Sequence, residues 1–426
     1  MERSPDGSDV LTGPGAEDLL RSALSGAGGR LRSWDLDHVD HRPGRSTTAL
    51  FRACVSWPDL DGPSAPAREE LFGASAHVGE HETHVATPDQ SLVLTNGDFN
   101  VRMWRYPHDP WLPALPKVSY PDALPTTLRD LGLNPGTSPT EAIPTEVISY
   151  RPGRRAVLRA SLPTGAVFLK VVQPHKTARI VQRHGLLAEA GVPVPQVLAH
   201  GEGLVVLREL PGKPLALAVL EEGAQACRGD DLVALLDRMP RSLFSLPPHR
   251  PWTESAEFYA NVVASALPTL RPRVDAVVHQ IRSGLEAVDR RIGLTAHDVV
   301  HGDFYEAQIF VDRGRVVGML DVDTVGPGRR ADDLACLLAH VSVLASYGES
   351  GRISADIYSR INAALESWYR VFAARTDPQE LALRTAGVLL SLATGPHRQQ
   401  DENWRDATAA LVELAERWAH PSTAAG

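Results

Sequence analysis

Between residues 146 and 172 the chain alternates short apolar runs with turn-forming residues. Three of these runs have the length and composition of β-strands: residues 146–150, 156–162 and 166–172. The segments between them, 151–155 and 163–165, contain the Pro and Gly residues that mark turns. The pattern predicts three consecutive strands joined by two short turns.

Lys170 lies inside the third of these strands, which is otherwise apolar. The chain has only four lysines, Lys117, Lys170, Lys176 and Lys213, whereas arginine is abundant. A lysine within a strand can simply snorkel at the strand edge. In a chain that otherwise uses arginine, however, its compact ammonium group favours a contact with the α- and β-phosphates of ATP.

A second group of apolar runs surrounds acidic residues farther along the chain. Val299 and Val300 precede residues 301–308, which have the sequence His-Gly-Asp-Phe-Tyr-Glu-Ala-Gln. The apolar runs 309–311 and 316–317 then predict a short hairpin, and its second strand ends near Asp321.

The predicted hairpin is short enough to bring Asp303, Gln308 and Asp321 together at one edge of a small sheet. Short His-Gly-Asp strings are common, and an Asp that follows a strand is usually only a turn former. Here, however, Gln308 follows Asp303 by five residues and Asp321 follows it by eighteen. Kinase chemistry needs one carboxylate to position an acceptor hydroxyl and two oxygen ligands for Mg²⁺. The spacing therefore favours a catalytic site over a plain turn.

With these residues the chain resembles the aminoglycoside phosphotransferase family, which shares a kinase-like fold with choline kinases and protein kinases. The resemblance implies that Asp303 is the catalytic residue and that Gln308 and Asp321 bind Mg²⁺. Most members have Asn at the position of Gln308, whereas the bacterial maltokinase branch is similar in using Gln. Farther along, Asp333-Leu334-Ala335 matches a helix start that is frequent in the family, where we expect Asp333 to cap the helix.

The resemblance also implies which residues bind ATP. Lys170 would hold the α- and β-phosphates, and the turn that contains Gly153 would cover the phosphates. The backbone that meets adenine would be a hinge formed by Arg208, Glu209 and Leu210. Family members carry a glutamate on the next helix to pair with the lysine, but residues 177–184 contain no acid. The acidic partner of Lys170 is therefore not assigned from the sequence.

Composition and charge bear on which binding partners and which cellular compartment to expect. The 426 residues carry a net charge of −9, which disfavours binding to nucleic acid. No run of about 18 apolar residues exists, so we expect no membrane span. The three cysteines, Cys54, Cys227 and Cys336, are far apart and lack metal-binding spacing, which predicts free thiols in a cytoplasmic protein.

The expected fold is an α/β chain of the α+β type: a bilobal, protein-kinase-like structure with an added amino-terminal cap. Helical periodicity dominates after Pro214. The predicted parts are a disordered leader (1–15), the cap (16–140), a small β-rich ATP-binding lobe (141–212) and a larger helical lobe for catalysis and acceptor binding (213–420).

Three features of the cap have alternative interpretations. Residues 41–53 resemble residues 150–160, which indicates a second hairpin without the phosphate lysine unless the likeness is chance. The aromatic and Pro-rich stretch 104–113 could stack on a sugar, although a rigid connector packed on the next domain is the commoner outcome. Three histidines could bind a metal on one helical face, but flanking Gly and Pro residues favour a solvated loop; they are His77, His81 and His84.

The sequence therefore predicts transfer of the γ-phosphoryl group of ATP to a hydroxyl of a small molecule such as a sugar, an amino sugar or an aminoglycoside. Two alternatives stay open. One is a maltokinase-like kinase for sugars or amino sugars, which Gln308 and the cap favour. The other is a nucleotide-binding pseudokinase that serves as a scaffold, which the unassigned partner of Lys170 favours. The oligomeric state is not predicted.

Overall fold

The computed structural model describes residues 6–62, 66–78, 87, 91–96, 99–138 and 141–420. The described chain combines antiparallel sheets with many helices, so the predicted α+β class is confirmed. It forms two compact units. Unit 1 comprises Met1–Ala178, Val197–Arg208 and Pro396–Trp404, and unit 2 comprises Arg179–Gln196, Glu209–Gly395 and Arg405–Gly426.

Unit 1 is built around two five-stranded antiparallel sheets, with short helices before the first strand and between later strands. Its strands are β1 (Arg30–Arg42), β2 (Ser46–Ser56), β3 (Arg68–His77), β4 (Leu92–Asn96), β5 (Phe99–Arg105), β6 (Thr145–Arg151), β7 (Arg155–Leu162), β8 (Gly165–Val172), β9 (Val197–Gly201) and β10 (Leu204–Arg208). Its helices are α1 (Ser8–Leu11), α2 (Gly15–Ser25), α3 (Pro58–Asp61), α4 (Leu115–Ser119) and α5 (Leu124–Asp130).

The two sheets of unit 1 have the same strand order, β1-β2-β3-β5-β4 in the first and β6-β7-β8-β10-β9 in the second. The strands predicted between residues 146 and 172 are β6, β7 and β8 of the second sheet. Along β7 the side chains alternate between half-buried and buried, because one face of the sheet packs on helices. The buried face belongs to a core that includes Leu115, Leu124 and Leu128.

The core of the second sheet includes residues from an earlier part of the chain than the sequence pattern predicted. Residues 112–128, which the sequence pattern placed in the cap, pack with Leu158 and Leu169 of the second sheet. The leader also differs from expectation. The sequence favoured disorder up to Gly15, but the described part of the leader is folded, because Leu11 is fully buried against the first sheet.

In each sheet, a turn of similar sequence joins the first two strands. In the first, Arg42 pairs with Ser46 around Pro43-Gly44-Arg45, and in the second, Arg151 pairs with Arg155 around Pro152-Gly153-Arg154. Gly44 and Gly153 both have φ 69°, a left-handed conformation that favours glycine. The likeness between residues 41–53 and 150–160 therefore marks a second real hairpin.

A buried aspartate holds each of these turns in the same way. Asp6 Oδ2 accepts a hydrogen bond from the Gly44 amide at 2.7 Å, and Asp109 Oδ2 accepts one from the Gly153 amide at 2.7 Å. Each aspartate also accepts, through Oδ1, a bond from the amide two residues later: Ser8 at 3.2 Å and Trp111 at 2.9 Å. Unit 1 is thus a structural duplication. The first repeat spans residues 6–105, and the second spans residues 109–178 with 197–208.

Aromatic residues join the two repeats. Trp104 Nε1 donates to the Tyr150 hydroxyl at 2.9 Å, and this hydroxyl donates to Asp109 Oδ2 at 2.8 Å. Trp104 and Trp111 meet edge to face, with 5.2 Å between their ring centroids. The aromatic stretch 104–113 therefore connects the repeats, as the connector interpretation predicted, and the cap packs on the second sheet's domain.

Unit 2 is mostly helical and contains two small antiparallel sheets, of order β11-β13-β14 and β12-β15. Its strands are β11 (Lys213–Pro214), β12 (Asp298–Val300), β13 (Ile309–Asp312), β14 (Arg315–Met319) and β15 (Gly326–Gly328). The remaining helices are α6 (Thr177–Glu189), α7 (Leu215–Glu222), α8 (Gly229–Asp237), α9 (Ala256–Ala266), α10 (Arg271–Ile292), α11 (Arg330–Glu349), α12 (Ala355–Ala373), α13 (Pro378–Leu392), α14 (Gly395–Arg398) and α15 (Trp404–Ala419). Three of them, α6, α14 and α15, cross a boundary between the two units.

Helix α11 forms the centre of unit 2. Leu334, Leu337 and Leu338 of this helix pack with the β13–β14 hairpin in one core. Cys336 and Ala339 face a second core, shared with α9, α10 and α13. Because both sides of α11 are covered by apolar side chains, the start of the helix is held firmly beneath β12 and the loop that follows β12.

Several expectations from composition can be compared with the described part of the chain. The three cysteines are free thiols. Among the described helices, none is both long and apolar enough to cross a membrane. The described residues also contain no group of three or more His, Cys, Asp or Glu side chains that could hold a metal. His81 and His84 lie outside the described residues, so the proposed histidine site is not described.

Candidate active site

The loop that contains Asp303 begins where strand β12 ends. β12 pairs with β15, with Val300 opposite Gly326, and the next residue, His301, is fully buried. The backbone amides of His301 and Gly302 donate to the two oxygens of Asp333, at 2.7 and 2.8 Å. Asp333 is itself fully buried near the start of α11. One carboxylate of a rigid helix therefore holds the start of this loop.

This role corrects the expectation that Asp333 caps the helix. The helix N-cap is Arg329, four residues before Asp333, and its backbone amide donates to the side chain of Asp332. Asp333 lies beyond the cap, and its side chain points to the loop. Burial raises the pKa of Asp333 to about 7, although its hydrogen bonds from His301 and Gly302 act in the opposite direction.

Gly302 is required in this loop for a steric reason. Its φ of 85° lies in the left-handed region, and an added Cβ would stand 2.5 Å from Nδ1 of His249. A larger residue would push the loop away from Asp333. The glycine therefore permits the close packing that fixes the position of Asp303, the next residue.

The side chain of His301 supports the loop from inside. Its Nε2 lies 2.8 Å from the Leu320 carbonyl, and its Nδ1 accepts the backbone amide of Asp303 at 3.2 Å. This pair of contacts fits a neutral ring with the proton on Nε2. Burial lowers the pKa of His301, which keeps the ring neutral. As expected from the sequence, His301 points into the fold and orients its neighbour.

The backbone of Leu320 connects the loop with the hairpin. Its carbonyl accepts from His301, and its amide donates to the Gln308 carbonyl at 2.7 Å. The second bond places Gln308 beside the residue that precedes Asp321. The structure thus brings the loop of Asp303, Gln308 and Asp321 together, as the hairpin pattern predicted.

The orientation of Gln308 matters for its chemistry. Its Nε2 donates to the Tyr305 hydroxyl at 3.0 Å, and the side chain is buried. Because the amide nitrogen is used in this bond, the oxygen Oε1 is the atom that can act as a ligand. A carbonyl oxygen is a ligand type that Mg²⁺ accepts.

Several carboxylates lie near enough to Tyr305 to affect the pKa of its hydroxyl. Burial raises the pKa of Tyr305, and the negative charges of Asp303, Asp321 and Glu306 raise it further. These acids do not form a metal-binding group of three among the described residues, but a carboxylate oxygen of Asp321 and the amide oxygen of Gln308 are ligand types that Mg²⁺ accepts. The residues present therefore fit Mg²⁺.

Asp321 has an unusual backbone conformation. Its φ is 50° and its ψ is 50°, in the left-handed region that residues other than glycine rarely adopt. It stands between β14 and the 3₁₀ helix Val322–Thr324. Residues held in such conformations concentrate at functional sites, and this geometry is consistent with a ligand role for Asp321.

Two residues of this region were not assigned a role at the site from the sequence. One is Asp333, which anchors the loop. The other is Glu306, which is buried and whose Oε2 has no hydrogen-bond partner among the described residues. Burial, together with the charge of Asp303, raises the pKa of Glu306 to about 7. Its position three residues after Asp303 was the available signal, but sequence spacing does not reveal burial.

The residues predicted to bind ATP are found in both units. Lys170 is buried on β8, opposite Val157 of β7 and Val205 of β10. The boundary between the units falls between Arg208 and Glu209, which matches the position of the predicted hinge; Leu210 follows in unit 2. These roles stay predictions.

The turn at Gly153 differs from a loop with free amides. The Gly153 amide donates to Asp109, and its carbonyl accepts from Nε2 of Gln173 at 2.8 Å. Both backbone groups of Gly153 are therefore paired within unit 1. A contact between this turn and phosphate would have to come from its other groups, or these bonds would have to open.

Comparison with known proteins shows one family. Residues 152–361 match the model of the phosphotransferase enzyme family. This segment includes both the predicted phosphate lysine and the residues around Asp303. Among curated protein sequences, none matches this chain.

Solved structures that resemble part of this chain include two phosphotransferases. A macrolide 2′-phosphotransferase from Brachybacterium faecium is 19% identical, with 68% of this chain and 98% of that chain covered and a TM-score of 0.40. An aminoglycoside phosphotransferase from Streptomyces rimosus is 19% identical, with 63% and 96% covered and a TM-score of 0.40. At such low identities and TM-scores, these structures carry no argument about this chain, and its likeness to a family rests on the match over residues 152–361.

The anchoring role of Asp333 can be tested by Asp333→Ala. The change leaves two buried amides, of His301 and Gly302, without an acceptor, at a cost of about 1–3 kcal/mol each. We expect a clearly lower urea midpoint in equilibrium unfolding. Asp312→Ala is the matched control, because Asp312 is an exposed carboxylate of the same unit. Equal midpoints for the two variants would contradict the anchoring role.

Proposed function

Since residues 152–361 match the model of the phosphotransferase enzyme family, we propose that the protein transfers the γ-phosphoryl group of ATP to a hydroxyl of a small molecule. The observation that carries the proposal is the convergence of Asp303, Gln308 and Asp321 around Leu320 and Tyr305. Phosphoryl transfer depends mainly on positioning and electrostatic stabilisation, and this arrangement supplies a carboxylate together with oxygen ligands.

We propose that Asp303 orients the acceptor hydroxyl and takes its proton. The loop is well suited to this task, because Asp333 holds its start and His301 holds the backbone amide of Asp303. A loop backbone fixed in this way limits the positions that the Asp303 carboxylate can take, so less freedom is lost when the acceptor binds. The neutral His301 stays in its supporting position throughout.

Asp321 and Gln308 would hold Mg²⁺ through a carboxylate oxygen and the amide Oε1. The bound ion supplies positive charge that stabilises the phosphates of ATP during transfer. Tyr305 positions the Gln308 side chain through the bond from Nε2. In unit 1, we propose that Lys170 binds the α- and β-phosphates, and that the backbone from Arg208 through Glu209 to Leu210 binds adenine.

The acceptor class is a sugar, an amino sugar or an aminoglycoside. A maltokinase-like activity is the second candidate, favoured by Gln308 and by the duplicated cap. A pseudokinase scaffold is the alternative that is not an enzyme.

An ATP-consumption assay with aminoglycosides, hexoses, maltose and amino sugars would test all three. Acceptor-dependent ADP release supports a kinase and identifies its class, whereas ATP binding without turnover on any acceptor supports the scaffold.

Asp303→Ala tests the catalytic assignment. The variant lacks the carboxylate that accepts the hydroxyl proton, so we expect turnover to fall by about 10²–10⁴-fold while ATP affinity changes little. Steady-state kinetics and calorimetric titration with ATP measure the two effects. Asp312→Ala, at an exposed position, serves as the control. Near-normal turnover in Asp303→Ala would contradict the catalytic role of Asp303.

The metal ligands can be separated by two substitutions. Asp321→Asn removes the charged ligand and should abolish Mg²⁺-dependent turnover, because a neutral amide binds the ion weakly. Gln308→Asn keeps a carbonyl oxygen of the kind that most relatives use, and should retain much of the activity. Titration of activity with Mg²⁺ distinguishes weaker metal binding from slower chemistry. Equal damage from both changes would give Gln308 a role beyond ligation.

The two repeats of unit 1 predict different effects on ATP. Lys170→Ala should weaken ATP binding or turnover strongly, because it removes the ammonium group from the second repeat. The double change Arg42→Ala with Arg45→Ala, in the matching turn of the first repeat, should leave the affinity for ATP unchanged. Calorimetric titration with ATP gives both answers. The opposite result would move the ATP site to the first repeat.

A further inference from the structure

The duplication of unit 1 makes it possible to compare the two repeats residue by residue. Thr48 pairs with Ser75 in the first repeat, and Val157 pairs with Lys170 in the second. Counting from the matching turns, Ser75 occupies the position of Lys170. The first repeat therefore carries a neutral hydroxyl where the second carries the ammonium group. Its sheet retains the architecture without the charge that a nucleotide phosphate needs there.

The corresponding face of the first repeat opens into a cavity of about 390 Å³. Ligand sites usually have volumes of about 300–1,000 Å³, so the space suits a small molecule. Thr48, Ser75 and His77 line it from the first repeat. Ser75 Oγ lies 3.0 Å from Thr48 Oγ1 and 2.9 Å from His77 Nε2, so this wall is polar and ordered.

The charge around the cavity is mainly positive. Among its lining residues, the cations Arg42, Arg154 and Lys176 face one carboxylate, Asp40. Arg154 and Asp40 form an ion pair at 2.7 Å, and the lining as a whole keeps a net positive charge. Such an excess of positive charge favours an anionic ligand.

Further arginines stand close to this wall. Burial lowers the pKa of Arg151 to about 10, and the charges of Arg398, Arg155 and Arg154 lower it further. The Nε of Arg398 is buried and has no hydrogen-bond partner among the described residues. The arginines thus repel one another, and a bound anion would relieve this repulsion.

The ring of Trp111, which is 6% exposed, supplies a small aromatic surface. It lines the cavity and packs against the turn, where a Cβ on Gly153 would lie 3.4 Å from Cε3 of the ring. Indole rings form good contacts with the apolar faces of hydroxylated rings, and the hydroxyl and amide side chains around it can bond to hydroxyl groups. The cavity therefore combines cations, neutral polar groups and one aromatic face.

We propose that this cavity of unit 1 binds a small hydroxylated molecule through its phosphate group, at a site separate from Lys170. Arg42 and Lys176 pair with the phosphate, Thr48 and Ser75 bond to its oxygens or to hydroxyls, and Trp111 packs on the ring. The presence of Ser75 at the position of Lys170 is consistent with a ligand other than ATP. The site holds its ligand without transferring a group.

The proposal is tested by calorimetric titration with glucose 6-phosphate, inorganic phosphate and glucose, in the absence of ATP. Wild type and Lys170→Ala should bind glucose 6-phosphate with the same affinity, because Lys170 does not line the cavity. Arg42→Glu should weaken binding by about tenfold or more, since a charged pair becomes a repulsion. Arg45→Glu, the same charge change in the same turn outside the cavity lining, should alter it less than about twofold. Arg42→Ala gives a smaller loss in the same direction if Arg42→Glu impairs folding.

Several outcomes of these titrations would contradict the proposed phosphate site. Absence of binding at millimolar ligand, loss of binding in Lys170→Ala, or equal effects of Arg42→Glu and Arg45→Glu would overturn the proposal. Equal affinity for inorganic phosphate and glucose 6-phosphate would overturn the ring contact with Trp111. Weak binding of both inorganic phosphate and glucose, compared with glucose 6-phosphate, supports a phosphorylated hydroxyl compound as the ligand.

Discussion

The geometry of the candidate active site depends on one buried carboxylate. Asp333 accepts the amides of His301 and Gly302, and α11 holds Asp333 between two apolar cores. A buried carboxylate without these donors would be costly, and the two amides without it would also be unpaired. The loop and the helix therefore stabilise each other. This pair of bonds sets the position of His301. The contacts from His301 to Leu320 and from Leu320 to Gln308 depend on that position.

The two units contain clusters of opposite charge. In unit 2, Asp303, Asp321 and Glu306 all act on Tyr305, a concentration of negative charge that suits a divalent cation. In unit 1, arginines of the turn at residues 151–155 act on one another, a concentration of positive charge that suits phosphate. In each unit, the burial that shifts the pKa values also strengthens the electrostatic interactions available to a ligand.

The repeats of unit 1 show which features of a fold are retained when a residue of the site is not. Asp6 and Asp109 hold their turns through the same atoms, and both sheets keep the same strand order. These features stabilise the backbone and are needed in both copies. The position of Lys170 is occupied by Ser75 in the first repeat, so this lysine is not needed to build the sheet. The duplicated architecture thus persists with a differently charged surface.

The sequence alone determined the local elements and the spacing of the chemistry. Strands β6 to β8 and the hairpin of β13 and β14 were predictable, because alternating burial and turn residues act over a few positions. The grouping of Asp303, Gln308 and Asp321 followed from that hairpin. Tertiary structure decided the rest: the anchoring role of Asp333, the burial of Glu306, the packing of residues 112–128 with the second sheet and the cavity beside Ser75. These features arise where distant segments meet, and a local pattern contains no information about which segments will be neighbours.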